Sequence, residues 1–334
     1  LMPNRIRLIL SLVVGILLYS CQGDSQRSIR VDESALTKMD VHIKRYGEAL
    51  FTIDTAQFGK GLQKIQPLFP HFLDADLNDS ANIAQLYKFV TDTQTRKLFD
   101  KTMEVYPELN GLEANLADAF SRYHYFFPDN SIPHVYTYVS DMYFEQPVWI
   151  NDTVMVVALD VYLGKDFILY PFLGLPQYKI RCMAPEYLAT DILKAMYFEY
   201  IWPNPKQKTL LDRMIAGGKL LYYLDAVLPG TPDSIKLCYT EKKLEWAEEN
   251  EKQVWAFIVQ NELLYAMDFS TQSNLIQDGP FTTGFSNESP SRLGVFIGWK
   301  IIRAYMAEHP ETSLQDLMNL NDAQLILQQS GYKP

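Results

Sequence analysis

The sequence predicts an α+β fold, mostly helical, built around a small mixed β-sheet. Three observations carry this reading. Apolar residues recur at helical spacing over much of the stretch 35–127 and again from 185 towards the end of the chain. Between these regions, residues 135–159 switch to a period of two. The strands follow one another directly, without the strand–helix alternation that builds a doubly wound parallel sheet.

Each element has its own signal. Leu36, Met39, Ile43, Tyr46 and Leu50 form one stripe, so 35–51 reads as an amphipathic helix. Residues 82–99 and 112–127 read the same way, punctuated by Gly111 and Pro128. Residues 135–139 read as a strand entered after Pro133. Residues 148–150 and 153–159 read as a hairpin closed on Asn151-Asp152. Pro185 and Glu186 open a helix, because Pro suits a first turn and an acid favours the positive helix end. That helix runs to Trp202, where Pro203 stops it. Further helices fit 207–226, 240–267 and 292–308. The last holds Gly294 and Gly298, each costing about 1 kcal/mol relative to Ala in a helix interior. Their presence predicts a neighbouring element crossing closely at Gly298. Ser313 and Asp322 are placed as N-caps of two short closing helices, and Gly331 as a C-cap.

The chain opens with Arg5 and Arg7, then an apolar run over 6–18, then Ser20 and Cys21. The run is shorter than the roughly 20 residues a membrane-spanning helix needs, and its layout is that of a secretory signal. Leu18-Tyr19-Ser20-Cys21 resembles the lipobox of bacterial lipoproteins, in which the Cys is acylated and becomes the first residue. The expected organisation is a signal peptide over 1–20, an acylated Cys21 with a polar tether over 21–31, and one globular domain over 32–334. A diacylglyceryl Cys with an added N-acyl chain buries enough CH₂ groups, at about 0.8 kcal/mol each, to anchor stably. Gln22, rather than Asp, after the Cys favours the outer membrane of the cell envelope over the inner.

Losing the leader's two arginines leaves 28 Lys+Arg against 40 Asp+Glu, a net charge of −12. Such a surface disfavours nucleic acid and anionic lipid as electrostatic partners. Aromatic residues make up 13% of the chain, including 21 Tyr and 18 Phe, which implies a real core and a sticky surface. Beyond Cys21 only Cys182 and Cys238 remain. A bridge between them is permitted outside the cytoplasm, and the sequence leaves it open.

Signals for common chemistry are absent: there is no GxSxG, GxGxxG or GxxxxGK[ST]. The histidines are His42, His71, His124, His134 and His309, and no two stand four apart. A zinc-protease helix with His at i and i+4 therefore cannot form. Glu245, Glu248, Glu249 and Glu251 read as a solvated helix face. Glu186, Asp191 and Glu199 share the 185–202 helix and are the candidates for a cleft. Lys194, three residues after Asp191, is its natural ion-pair partner.

An ordered set of stretches resembles the GldB family of gliding-motility lipoproteins. The set comprises Leu163-Gly-Lys-Asp166, Tyr170-Pro171, Pro176-Gln-Tyr178, Arg181, Pro185-Glu186, Met214-Ile-Ala-Gly-Gly-Lys-Leu-Leu-Tyr222 and Trp255. It continues through Gly279-Pro-Phe-Thr-Thr-Gly-Phe285, Ser289-Pro-Ser-Arg-Leu-Gly294, Ile297-Gly-Trp299, Arg303-Ala-Tyr305 and Ser330-Gly-Tyr332. That family is similar in layout to zincin metallopeptidases. The resemblance implies that 154–164 stands where zincins have their edge strand and 185–202 where they have the metal helix. It places Ala216-Gly217 where a third ligand, a glutamate, would lie. Catalytic zinc needs three protein ligands and an open position, and this chain offers no such set. The resemblance therefore implies a degenerate zincin-like domain with no metal or other cofactor. It would be a non-catalytic envelope lipoprotein that binds protein partners of the gliding or secretion machinery and touches the membrane through its lipid. The competing expectation is an envelope hydrolase of peptides or cell-wall material.

Overall fold

The structure, a computed structural model, describes Ile29, residues 31–202 and residues 207–334. Its sheet has four strands: β1 (Lys44–Arg45), β2 (His134–Tyr138), β3 (Val148–Asn151) and β4 (Val154–Ala158). They lie in the order β1-β2-β4-β3. β1 runs parallel to β2 and β2 parallel to β4, whereas β3 is antiparallel to β4. Helices make up most of the remainder, so the fold is α+β and mostly helical.

The hairpin forms one residue later than its sequence signal. Asn151 pairs with Val154, leaving Asp152-Thr153 as the two-residue turn. Asp152 takes the left-handed conformation (φ 54°) that such turns demand and that Asp tolerates. The sheet order also corrects the expected edge. β4, which opens the 154–164 stretch, is interior, with β2 on one side and β3 on the other. Its alternate residues Met155 and Val157 are fully buried, as a central strand requires. The edges are β3 and the very short β1.

Between β1 and β2 come α1 (Tyr46–Phe51), α2 (Phe58–Ile65), α3 (Ser80–Thr91), α4 (Thr93–Val105) and α5 (Asn110–Phe126). The expected helix over 35–51 is thus helical only in its last six residues. The preceding stretch runs along α5, held by Met39 N–H on Ser121 Oγ (2.9 Å) and Ile43 N–H on Glu113 Oε1 (2.8 Å). Those backbone donors serve the neighbouring helix instead of a helix of their own. The single helix expected over 82–99 is two. Asp92 ends α3 in extended conformation and caps α4, accepting from Gln94 N–H and Thr95 N–H.

After the sheet come α6 (Gln177–Ile180), α7 (Leu188–Met196), α8 (Leu210–Val227), α9 (Asp233–Leu237) and α10 (Glu241–Glu249). Then follow α11 (Glu251–Gln260), α12 (Phe269–Ile276), α13 (Leu293–Glu308), α14 (Leu314–Asn319) and α15 (Ala323–Gln329). The predicted helix over 185–202 is a 3₁₀ turn (Pro185–Tyr187), then α7, then a π-helical turn (Tyr197–Ile201). Asn250 divides the expected 240–267 helix into α10 and α11. Thr209 and Asp212 form a capping box that starts α8. Ser313 and Asp322 cap α14 and α15 as predicted, and Gly331 sits at φ 61° just past the last helix.

α8 and α13 are the central packed pair. Gly298 of α13 lies against the carbonyl of Met214, and Gly218 of α8 against the carbonyl of Gly298. A Cβ at Gly294 would sit 2.9 Å from the carbonyl oxygen of Leu275 on α12. The glycine pair therefore serves two different neighbours. Beside this crossing, Arg303 bridges Asp225 on α8 (2.8 Å) and Asp233 on α9 (2.9 Å), while Trp299 Nε1 donates to Asp225 (2.8 Å). Cys182 and Cys238 form a disulfide, with Cα atoms 6.0 Å apart, joining the segment before α7 to the end of α9.

Candidate functional site

At the C-terminal ends of β2 and β4 two loops meet over one buried carboxylate. Asp160 is 0% exposed. It accepts from Ser140 N–H (2.9 Å), Ser140 Oγ (2.9 Å) and Met142 N–H (2.7 Å). Burial pushes its carboxyl above the usual range, and these hydrogen bonds oppose that shift. Asp141 and Met142 both have left-handed backbones (φ 59° and 64°), a strained pairing that persists because Asp160 grips the amides on either side of Asp141. The backbone carbonyl of Asp160 accepts from Tyr170 OH (3.2 Å), and Tyr170 accepts from Leu163 N–H (2.8 Å). One residue thus fixes the loop after β2 through its side chain and the loop after β4 through its main chain.

The outer surfaces of these loops expose apolar side chains among charged ones, Asp141, Glu145, Lys165 and Asp166. Tyr143, Ile168, Phe172 and Leu173 are all exposed, Phe172 at 80%. Phe172 N–H donates to Leu169 O and Gly174 N–H to Pro171 O, so the second loop is a tight turn. β3 begins at this same end, since Val148 pairs with Val157 near the end of β4. Trp149 stands exposed on that edge strand. This end of the sheet thus forms a platform with exposed apolar side chains on both loops and on the edge strand that starts there.

The residues singled out from the sequence are not brought together. Asp191, on α7, accepts from Tyr162 OH (3.0 Å) and pairs with Lys194 (3.1 Å), the partner its spacing predicted. Glu186 is exposed on the 3₁₀ turn before α7 and Glu199 is exposed on the π turn after it. About 20 Å of helix axis separates the two. Gly217 faces α13, where a Cβ would meet Val295 Cγ1 at 3.0 Å. Ala216 lines a cleft with Tyr197, Trp202 and Lys219. Among the described residues no group of three or more His, Cys, Asp or Glu side chains is placed to hold a metal ion.

Asp160 and Lys219 escaped the sequence reading. Asp160 follows an apolar strand and carries no motif. Lys219 was legible only as the one charge inside the apolar run 214–224, a pattern that predicts a buried cation.

The profile of the gliding motility protein GldB matches residues 26–334. The chain belongs to the GldB family. It is a gliding motility protein by that membership. No curated protein and no solved structure matches the chain. Among the described residues no helix is long and apolar enough to cross a membrane. Cys21 and the leader lie outside the described residues.

Proposed function

We propose that this GldB-family chain is a lipid-anchored envelope component of the gliding machinery that acts by binding protein partners and not by catalysis. The observation that carries the reading is the platform. Many of the family's signature residues between Leu163 and Glu186 build the loop that exposes Ile168, Phe172 and Leu173. An exposed apolar patch beside an open strand edge suits an extended partner segment that adds to β3 and sets apolar side chains on the loops.

The packing of Val295 against Gly217 supports the non-catalytic part, because α13 fills the space a third ligand side chain would take.

Ile168→Asp with Phe172→Asp tests this. Gliding should be lost while the amount of protein and its melting temperature are unchanged, and a photocrosslinker at residue 172 should capture an envelope protein. Normal gliding by the double variant would refute the platform. Stoichiometric zinc together with peptidase activity would refute the non-catalytic role.

A further inference from the structure

Three cations gather at the end of α9, where the chain around the disulfide meets the start of α13. Arg181 Nη2 donates to the carbonyl of Cys238 (2.6 Å), and Arg292 Nη1 donates to that of Leu237 (3.4 Å). The two guanidiniums are moored on carbonyls of consecutive residues, whose Cα atoms stand about 3.8 Å apart. The Cys182–Cys238 bond fixes the first mooring, because it ties the residue after Arg181 to the residue whose carbonyl Arg181 holds. Tyr239 marks the same corner. Its hydroxyl donates to the carbonyl of Ser291, and the charges of both Arg292 and Arg181 reach it.

Lys243 brings the third charge. Burial, and then the nearby Arg181, push it below the ordinary lysine range. Its ammonium donates to the carbonyls of Pro280 (2.8 Å), Asn287 (3.3 Å) and Ser289, which uses all three donors. It therefore supplies charge and no free hydrogen bond. α13 starts at Arg292 with no side-chain cap, so its positive end adds to the same field.

The arginines are far from spent. A guanidinium has five N–H donors, and Arg181 and Arg292 each commit one to a carbonyl. Arg181 Nε is buried with no acceptor among the described residues. Among the described residues no carboxylate forms an ion pair with any of the three cations, in a chain of 40 Asp+Glu against 30 Lys+Arg. Asp278, which also acts on Tyr239, accepts from Ser291 Oγ (3.1 Å) and Gly279 N–H (3.1 Å). Glu241, which with Glu186 acts on the neighbouring Tyr187, accepts from Ser234 Oγ (2.6 Å).

We propose that Arg181 and Arg292 bind the phosphoryl group of a small soluble phosphate monoester. The planar fork of a guanidinium matches such an oxyanion two bonds at a time. A phosphoryl group offers three oxygens and nearly two charges at neutral pH, enough for a fork and a charge at each arginine. A carboxylate has two oxygens and one charge to divide between them. A phospholipid surface carries the same chemistry, but the net negative charge of the chain opposes it.

Calorimetry on the full chain in detergent tests this, with phenyl phosphate, benzoate and dioctanoyl phosphatidic acid as probes. At about pH 7.5 phenyl phosphate should bind about tenfold or more tighter than benzoate, the scale of a charged hydrogen bond. Its affinity should fall below about pH 6, where the dianion takes up a proton. Arg181→Gln and Arg292→Gln should each weaken binding about tenfold or more. Arg292→Lys keeps the charge, loses the fork, and should weaken it too. Equal affinity for phenyl phosphate and benzoate, no binding of phenyl phosphate at millimolar concentration, or undiminished binding in both folded glutamine variants would overturn the proposal. Tighter binding of dioctanoyl phosphatidic acid than of phenyl phosphate would overturn the soluble source. The comparison of the three probes needs only the wild-type chain and stands even if a variant fails to fold.

Discussion

Gly298 meets the carbonyl oxygen of Met214 with no space between them for a Cβ. The close approach of α8 and α13 depends on that contact and on its reciprocal at Gly218. Gly298→Ala gains about 1 kcal/mol of helix propensity yet forces backbone against backbone. We expect a net destabilisation of about 2 kcal/mol or more by urea denaturation, and more for Gly298→Leu. Stabilisation by both substitutions would show that the helices do not cross here.

That crossing was legible in the sequence because two interior glycines in an apolar helix need a reason. The N-caps Ser313 and Asp322 were legible because capping is local chemistry. The stripe from Leu36 to Leu50 misled because apolar spacing is also met by a chain laid along α5, with Ser121 and Glu113 taking its amides. The sheet order was out of reach: nothing local tells β4 that β3 folds back outside it. Of the candidate site, Asp191 and its partner Lys194 were visible as a helical i,i+3 pair. Tyr162 on Asp191, and Asp160 under its two loops, arise from contacts between segments 10 to 29 residues apart.

The disulfide between Cys182 and Cys238 closes a loop of 56 residues. In the loop-closure account such a cross-link restricts the unfolded chain by about 4 kcal/mol. Reduction, or Cys182→Ser with Cys238→Ser, should lower the denaturation midpoint by an amount of that order. Thiol labelling of the unreduced protein at these two positions should fail even after unfolding, and succeed once the bond is reduced.

Lys219 sets a pH dependence. Burial pushes its ammonium down to about 8, below the ordinary lysine value of 10.5, so the folded state releases its proton first. Between these values the unfolded chain binds more protons, and stability therefore rises with pH. The cost of burying the charge is present in full below about pH 8 and disappears towards pH 10.5, a change of roughly 3 kcal/mol. Wild type should gain on Lys219→Met over this window in parallel denaturation curves. A flat difference would mean that the ammonium is solvated or already neutralised by a bound anion.

The lipobox resemblance makes Cys21 the expected anchor. Mass spectrometry of the mature protein should find an acylated N-terminal Cys21, and Cys21→Ala should leave the leader attached. Recovery of unmodified Cys21 in protein released without detergent would contradict the lipobox resemblance.

Asp160 links the buried structure to the platform. Asp160→Ala leaves the partly buried amides of Ser140 and Met142 without their acceptor, at about 1–3 kcal/mol each. It also frees Asp141 and Met142 from the left-handed conformations that the carboxylate enforces. We expect a loss of about 3 kcal/mol and faster hydrogen exchange at Ser140 and Met142. Tyr170 accepts from Leu163 and donates to the main chain at residue 160, a contact the substitution leaves in place. Exchange in the loop over 164–174 should therefore change little. If both loops loosen equally, Asp160 does not hold them by separate bonds. If exchange at Ser140 and Met142 is unchanged, the carboxylate is not what orders the loop that presents Tyr143.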